Sequence, residues 1–282
     1  MTPPTRVAVI TGGGGGMGLA TARIVGREHA IVLCDIRQDR LDRAAATLRG
    51  SGIAVTAVRC DVTDRVEVAE TFSTAAGLGR IVSVIHTAGV SPSMGDAEFV
   101  TRTNALGTLR VGEAFHESAP EGAAIVNVAS MAASLIPEEL VPTAAFPLAL
   151  HDEEAFLARV RSACDAMPEA SRSSFAYAVS KGFVRWYSAS RAERFNARGH
   201  RIVSVSPGSV DTEMGRLEER NGAGSIVADF AVPRWGNAEE MAELFAFCAS
   251  DRAGYLTGTD ILVDGGVVAS FRERARVAAQ GA

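Results

Sequence analysis

The segment YAVSK sets Tyr177 and Lys181 at positions i and i+4. On a helix, two such side chains share one face. A free tyrosine has a pKa of about 10, too high for a general base at neutral pH. A nearby ammonium favours the phenolate and lowers that value. Such a pair can arise on any helix, so a third group is needed to give it meaning. Ser130 follows directly on the apolar run AAIVNVA (123–129). A hydroxyl there either caps a turn or holds a carbonyl oxygen beside the tyrosine. The second role, with Tyr177 and Lys181, would be proton transfer at a carbonyl or carbinol oxygen.

A second constellation lies at the start of the chain. TGGGGGMG (11–18) follows the apolar run RVAVIT. Glycines after a strand let a pyrophosphate approach backbone N–H groups at a helix N-terminus. The run fits three templates at once. Gly12, Gly16 and Gly18 fit TGxxxGxG; Gly13, Gly15 and Gly18 fit GxGxxG; Gly12, Gly15 and Gly18 fit TGxxGxxG. Met17 belongs to the same turn and opens the periodic apolar face of the next helix. Asp35 ends the second apolar run, where its carboxylate would accept from an adenosine ribose and repel a 2′-phosphate. That favours NAD over NADP, although Arg37 is close enough to meet a phosphate. Asp61 after the third run either contacts an adenine amino group or caps the next turn. Ala88 and Gly89, in TAG (87–89), would let the backbone pass close to a nucleotide.

These groups need a scaffold, and the hydrophobic pattern supplies one. Apolar β-branched runs at 6–11, 30–35, 53–60, 81–86, 123–129, 201–206 and 260–264 read as buried strands. Helical periodicity lies between them, near 17–28, 38–49, 64–76, 96–118, 174–197 and 237–250. The alternation predicts one α/β domain over 1–282, a doubly wound sheet of seven parallel strands. Two stretches interrupt it. Residues 131–176 carry an extra amphipathic helix near 152–167, with Phe156, Val160, Cys164 and Met167 on one face. It would either cover a sheet edge or a neighbouring helix, or wall a substrate pocket. The glycine-rich loop 208–236, including Gly222 and Gly224, reads as a substrate lid or a flexible connection. The tail 271–282 would be a helix, an interface arm or disordered.

Composition narrows the partners. The net charge of −5 argues against a nucleic-acid surface. Cys34, Cys60, Cys164 and Cys248 form no CxxC pair and the five histidines no ligand spacing, so neither a metal nor a disulfide framework is expected. No apolar run approaches the ~18 residues of a membrane span, and the N-terminus lacks a signal-peptide pattern. A cytoplasmic protein with a small-molecule substrate is the expectation.

Taken in order, the motifs resemble the short-chain dehydrogenase/reductase family along nearly the whole chain. The matching pieces are Thr11, Gly12, Gly16 and Gly18, the Asp61-Val62 pair, TAG, Asn104, Ser130, Tyr177 with Lys181, Pro207-Gly208, and YLTGTDILVDGG (255–266). The resemblance implies a Rossmann-type fold, with Tyr177 as general acid/base and Ser130 orienting the substrate oxygen. It further implies that Lys181 binds nicotinamide-ribose hydroxyls and that Asn104 holds a water in a proton relay. Pro207, Gly208, Val210 and Thr212 would hold the nicotinamide carboxamide. A homodimer or homotetramer, built partly on the helices after strands four and five, is implied too. Two features depart from the family pattern: HTAG stands where NNAG is usual, and 131–176 is longer than usual. His86 is read as part of the strand end rather than a catalyst. The lengthening is similar to that of the bacterial 3α-hydroxysteroid dehydrogenase/carbonyl reductase group, a looser resemblance. Met131, Leu135, Ile136 and Phe146, with Met214, Leu217 and Trp235, suggest a lipophilic, steroid-like alcohol or ketone; packing of the insertion onto the core is the alternative. A small carbonyl or sugar substrate, an epimerase and a non-catalytic nucleotide-binding regulator are the rival functions. An enoyl reductase usually spaces its tyrosine and lysine more widely.

Overall fold

The apolar runs form strands because both faces of their sheet are covered. Five of the six residues of β1 (Arg6–Thr11) are buried, as are all of β5 (Ala124–Val128) and β6 (Arg201–Pro207). The computed structural model describes residues 5–221 and 231–280. Within it, β2 (Ala30–Asp35), β3 (Val55–Arg59), β4 (Arg80–His86) and β9 (Asp260–Val263) complete a seven-stranded sheet in the order β3-β2-β1-β4-β5-β6-β9. Every pairing is parallel. The strand order reverses between β1 and β4, and such a point opens a crevice beyond the carboxyl ends of the strands.

Helices cover both faces. On one side lie α3 (Arg65–Leu78), α5 (Gly107–Ser118) and α7 (Arg172–Ser190), with Phe72, Phe115 and Phe183 in the core. On the other lie α1 (Gly16–Val25), α2 (Gln38–Gly50) and α10 (Ala238–Ala249), contributing Ala22, Leu41 and Phe245. The expected helix at 96–118 is three pieces: α4 (Ala97–Thr101), a π-helical turn at Arg102–Leu106, and α5. Asn104 lies at the centre of the π turn, a distortion that recurs at functional sites. The expected helix at 174–197 ends at Ser190 and is followed by the short α8 (Ala192–Asn196).

The segment 131–176 consists of 3-10 turns followed by α6 (Glu153–Asp165). Asp152 caps α6 by accepting from the Ala155 N–H at 2.9 Å. Phe156, Leu157, Val160 and Cys164 are buried, and the helix packs on α4 and α7. Glu153 pairs with Arg65 and with Arg110, the latter at 2.7 Å; Arg161 pairs with Glu98 at 3.0 Å. These contacts make α6 a cover for neighbouring helices. Phe146 belongs to the same core, with ring centroids 5.5 Å from Phe183 and 5.8 Å from Trp186. Its apolar character therefore serves packing, the second of the two expectations for this residue, rather than a substrate contact.

The ends of the 208–236 loop are joined by a two-residue parallel pair, β7 (Val210–Asp211) and β8 (Gly236–Asn237), with α9 (Glu213–Arg220) between them. The sequence gives no period by which such short strands could be read. Gly222 and Gly224 lie outside the described residues. The tail is helical: α11 spans Val267–Gln280, while 281–282 lie outside the described residues. No described helix is long and apolar enough to cross a membrane, and the described residues hold no group of three or more potential metal ligands.

Burial of two histidines gives the fold a pH dependence. His86 is fully buried and pushed down to about 3; His116 is pushed down to about 4, in both cases chiefly by loss of solvation. Below the ordinary value of about 6.5, the unfolded chain takes up protons that the native state refuses. Stability is thus intact above about 6.5 and falls as the pH drops from there towards 4. Urea denaturation midpoints should be lower at pH 5 than at pH 7, by no more than a few kcal/mol in free energy. His86→Asn should flatten that slope; an unchanged slope would exclude His86 as a source.

Candidate active site

Ser130, Tyr177 and Lys181 converge at the carboxyl end of β5. Ser130 caps the 3-10 turn that follows the strand, its hydroxyl accepting from the Ala132 N–H at 3.2 Å. Tyr177 and Lys181 share a face of α7. The Lys181 ammonium is buried and donates to the Val128 carbonyl at 2.8 Å, with Nζ 5.8 Å from the Tyr177 ring centroid. Burial lowers its pKa to about 8. The Ser130 hydroxyl beside the Tyr177 phenol by itself favours the phenolate. The net direction is nevertheless upward, because burial dominates and the Glu218 carboxylate adds to it. This reverses the expected depression of the Tyr177 pKa. The ammonium is held against Val128, and loss of solvation outweighs what favours the phenolate.

Asn104 is buried, and its amide ties two elements together. Its Oδ1 accepts from the Val90 N–H at 2.9 Å, while Nδ2 donates to the Val90 carbonyl at 3.0 Å and to Ser180 Oγ at 3.2 Å. Those bonds fix the strand-four turn to α7 and occupy both N–H groups of the amide. The Asn104 backbone carbonyl accepts from Thr108 Oγ1 at 2.7 Å. His86 lies between Thr11 Oγ1 at 2.8 Å and Thr108 Oγ1 at 3.1 Å. Because the Thr108 proton goes to Asn104, the Thr108 oxygen is the acceptor for His86 Nε2–H. His86 Nδ1 then accepts from Thr11. A neutral ring with both nitrogens engaged is a strand-end brace, as its position suggested.

The glycine turn is built to be approached closely. Gly12 and Gly16 have φ of +67° and +50°, which L side chains rarely adopt. A Cβ on Gly12 would lie 2.7 Å from the Ala88 nitrogen, and one on Gly18 would lie 2.5 Å from the Gly12 carbonyl oxygen. These are the glycines of TGxxxGxG. No side chain caps the N-terminus of α1, so its N–H groups remain available to an anion. The interior glycines are not idle: a Cβ on Gly14 would lie 2.6 Å from Asp35 Oδ2, and one on Gly15 would lie 2.5 Å from the Arg40 guanidinium. Asp35 accepts from the N–H groups of Gly14 and Arg37, each at 3.0 Å, while the Arg37 side chain turns to Asp39 at 3.1 Å.

The other expected nucleotide contacts divide between packing and the open crevice. Asp61 Oδ1 accepts from the Thr63 N–H at 2.8 Å and hydroxyl at 2.7 Å, the geometry of a turn cap. Val62 is buried, and a Cβ on Gly107 would lie 2.8 Å from its side chain. Gly89 faces Asn104 and Lys181, its Cβ position 2.9 Å and 3.5 Å from their polar atoms. Pro207 ends β6, and Gly208 passes so close to β9 that a Cβ would lie 2.7 Å from the Asp264 Cα. Val210 is buried. Thr212 caps α9 by accepting from the Gly215 N–H at 3.1 Å. Its methyl group faces Gly16, 3.3 Å from that residue's Cβ position, so the 208–236 segment comes down onto the glycine turn. Met17 is half-buried behind it.

Sequence reasoning missed the polar side of the site. Glu218 on α9 accepts from the Ser93 N–H at 3.2 Å, and Asn221 Nδ2 donates to Ser93 Oγ at 3.0 Å. Arg40 pairs with Glu213 at 3.2 Å. None of these residues belongs to a spacing pattern, and only the fold brings them together.

A family model described as short chain dehydrogenase matches residues 6–145, and one described as Enoyl-(Acyl carrier protein) reductase matches 158–268. The chain is 30% identical over 263 residues to the short-chain dehydrogenase/reductase bsc3 of Alternaria brassicicola, covering 91% of this chain and 94% of the relative. It is also 30% identical over 275 residues to a cis-4-hydroxycyclohexanecarboxylate dehydrogenase of Sinomonas cyclohexanicum, covering 94% and 97%. Among solved structures, a short-chain type dehydrogenase/reductase from Mycobacterium ulcerans superposes with a TM-score of 0.75 at 23% identity, covering 95% of this chain and 91% of that one. Sequence likeness of this extent makes the chain a member of the short-chain dehydrogenase/reductase family and an oxidoreductase of CH–OH donors.

Proposed function

We propose that the protein interconverts a secondary alcohol and a ketone with NAD(H), Tyr177 acting as general acid and base. The observation that carries this reading is the convergence of Tyr177, Ser130 and Lys181 at the crevice end of β5. The residues present fit a dinucleotide: Gly12, Gly16 and Gly18 leave room for it, and the open N-terminus of α1 suits its pyrophosphate. Asp35 at the end of β2 suits ribose hydroxyls, and the turning of Arg37 towards Asp39 supports NAD over NADP. The nicotinamide would supply or accept the hydride.

The chain's own residues then do three things. Ser130 donates to the substrate oxygen and fixes it beside the phenol. Tyr177 gives its proton to that oxygen in reduction and takes it back in oxidation. Lys181, held by the Val128 carbonyl, presents its remaining N–H groups to ribose hydroxyls, and the Asn104 carbonyl keeps a water within reach of the ammonium. Pro207, Gly208, Val210 and Thr212 would line the carboxamide side, and Asp61, Val62, Ala88 and Gly89 the adenosine and ribose side.

The substrate we favour is lipophilic and carries its hydroxyl on a ring, in the range of cyclic to steroid-like alcohols. Met131 and Leu135 follow Ser130 in sequence, and Met214 and Leu217 belong to α9, whose Thr212 cap meets the glycine turn. The name of the Sinomonas relative, a cis-4-hydroxycyclohexanecarboxylate dehydrogenase, supports the ring hydroxyl. A turnover screen with NAD and NADP across steroids, cyclic alcohols, small polyols and aldehydes tests this. Cyclic alcohols should lead; activity confined to small polyols would remove the lipophilic reading and leave the redox assignment. A homodimer or homotetramer would have to avoid or include α6, which covers α4 and part of α7.

A further inference from the structure

Two arginines lie near Asp35, and each is paired with a carboxylate other than Asp35. Arg37 pairs with Asp39 at 3.1 Å on its own helix. Arg40 differs, because its partner Glu213 comes from the far side of the crevice, at the start of α9, 3.2 Å away. The Arg40 stem runs beside Asp35. The Cβ position of Gly14 lies 2.6 Å from Asp35 Oδ2 and 3.0 Å from the Arg40 Cβ. The guanidinium continues over the turn, 2.5 Å from the Cβ position of Gly15. A phosphate on the ribose hydroxyl that faces Asp35 would therefore come within reach of Arg40.

We propose that Glu213 sets the preference for the dinucleotide without a 2′-phosphate, by occupying Arg40, the cation that lies on the glycine turn. The inference rests on the dinucleotide reading above. With Glu213 in place, an incoming 2′-phosphate meets the Asp35 carboxylate, a cation already paired, and a second carboxylate. With Glu213 neutralised, Arg40 is released to the phosphate and one repulsion disappears. A ribose with both hydroxyls free has no dianion at this point and feels little of the change. Glu213 is largely exposed, so the pair is weak and screened by salt. The effect is accordingly a selectivity shift rather than a loss of binding.

The test is fluorescence titration of NADH and NADPH into wild type, Glu213→Gln, Arg40→Ala and the double variant at low ionic strength. Glu213→Gln should tighten NADPH by about threefold to fivefold and NADH by less than about twofold. In the Arg40→Ala background the same change should leave only the smaller selective shift that comes from the lost repulsion, because the released cation is gone. Equal tightening of both nucleotides, no tightening of either, or a selective shift as large without Arg40 as with it would each overturn the proposal. Wild-type protein that binds neither nucleotide would overturn the dinucleotide reading itself, and is recognisable before any variant is made.

Discussion

Tyr177→Phe should bind NADH as wild type does and lose about a thousandfold in turnover, within the range of a positioned proton donor. The change deletes one oxygen at the edge of a half-buried ring and leaves α7 untouched. The ring stays packed where it is, so folding and nucleotide affinity have no reason to move. What disappears is the proton for the substrate oxygen. The direction of the Tyr177 shift adds a second expectation. Burial and Glu218 raise the phenol above its ordinary value of 10, so at neutral pH it carries its proton. That is the form carbonyl reduction needs. Reduction should therefore be nearly flat from pH 6 to 8, while alcohol oxidation, which needs the base, should climb with pH across the same range. Steady-state kcat/KM in both directions, measured against pH, checks this. A variant with a tenth or more of wild-type turnover would remove Tyr177 from the chemistry.

The scaffold was legible because the central strands β1, β4, β5 and β6 are short apolar runs covered on both faces, and the crossover helices between strands carry periodic stripes. The same logic found α6 from Phe156, Val160 and Cys164, since an amphipathic face must be buried somewhere. Sequence alone could not say against what, and the answer, α4 and α7, came from ion pairs such as Arg161–Glu98 that no spacing announces. Tyr177 and Lys181 were readable as a helical pair. The direction of the Tyr177 pKa was not, because it depends on burial and on Glu218, a residue 41 positions downstream. Asn104 was legible as a residue but not as geometry: a π turn leaves no compositional mark, and only the fold shows that the amide is fully engaged with Val90 and Ser180. Arg40 and Glu213 were invisible for the same reason. Each is an ordinary surface charge until α9 is laid across the glycine turn.

Gly18→Ala should weaken NADH binding far more than Gly14→Ala, and the comparison decides the register of TGGGGGMG. Both positions are crowded, but by different neighbours. A Cβ on Gly18 would stand 2.5 Å from the Gly12 carbonyl oxygen and 2.6 Å from Thr87 Oγ1. Gly12 is itself held against the Ala88 backbone, so neither side can yield without moving α1 off the turn. Overpacking of that kind costs about 1–3 kcal/mol, and here the strain falls on the N–H groups that would meet the pyrophosphate. A Cβ on Gly14 would instead meet the Asp35 carboxylate, a side chain that can rotate aside. Gly14→Ala should therefore lose a few fold in NADH affinity through displaced ribose contacts, against tenfold or more for Gly18→Ala. Its larger effect should be on the choice between NADH and NADPH, because the residue it pushes is Asp35. Titration of both nucleotides into both variants, with thermal melts to register any loss of fold, separates the two. If Gly14→Ala proved the more damaging, a register using the inner glycines would replace the one built on Gly12, Gly16 and Gly18.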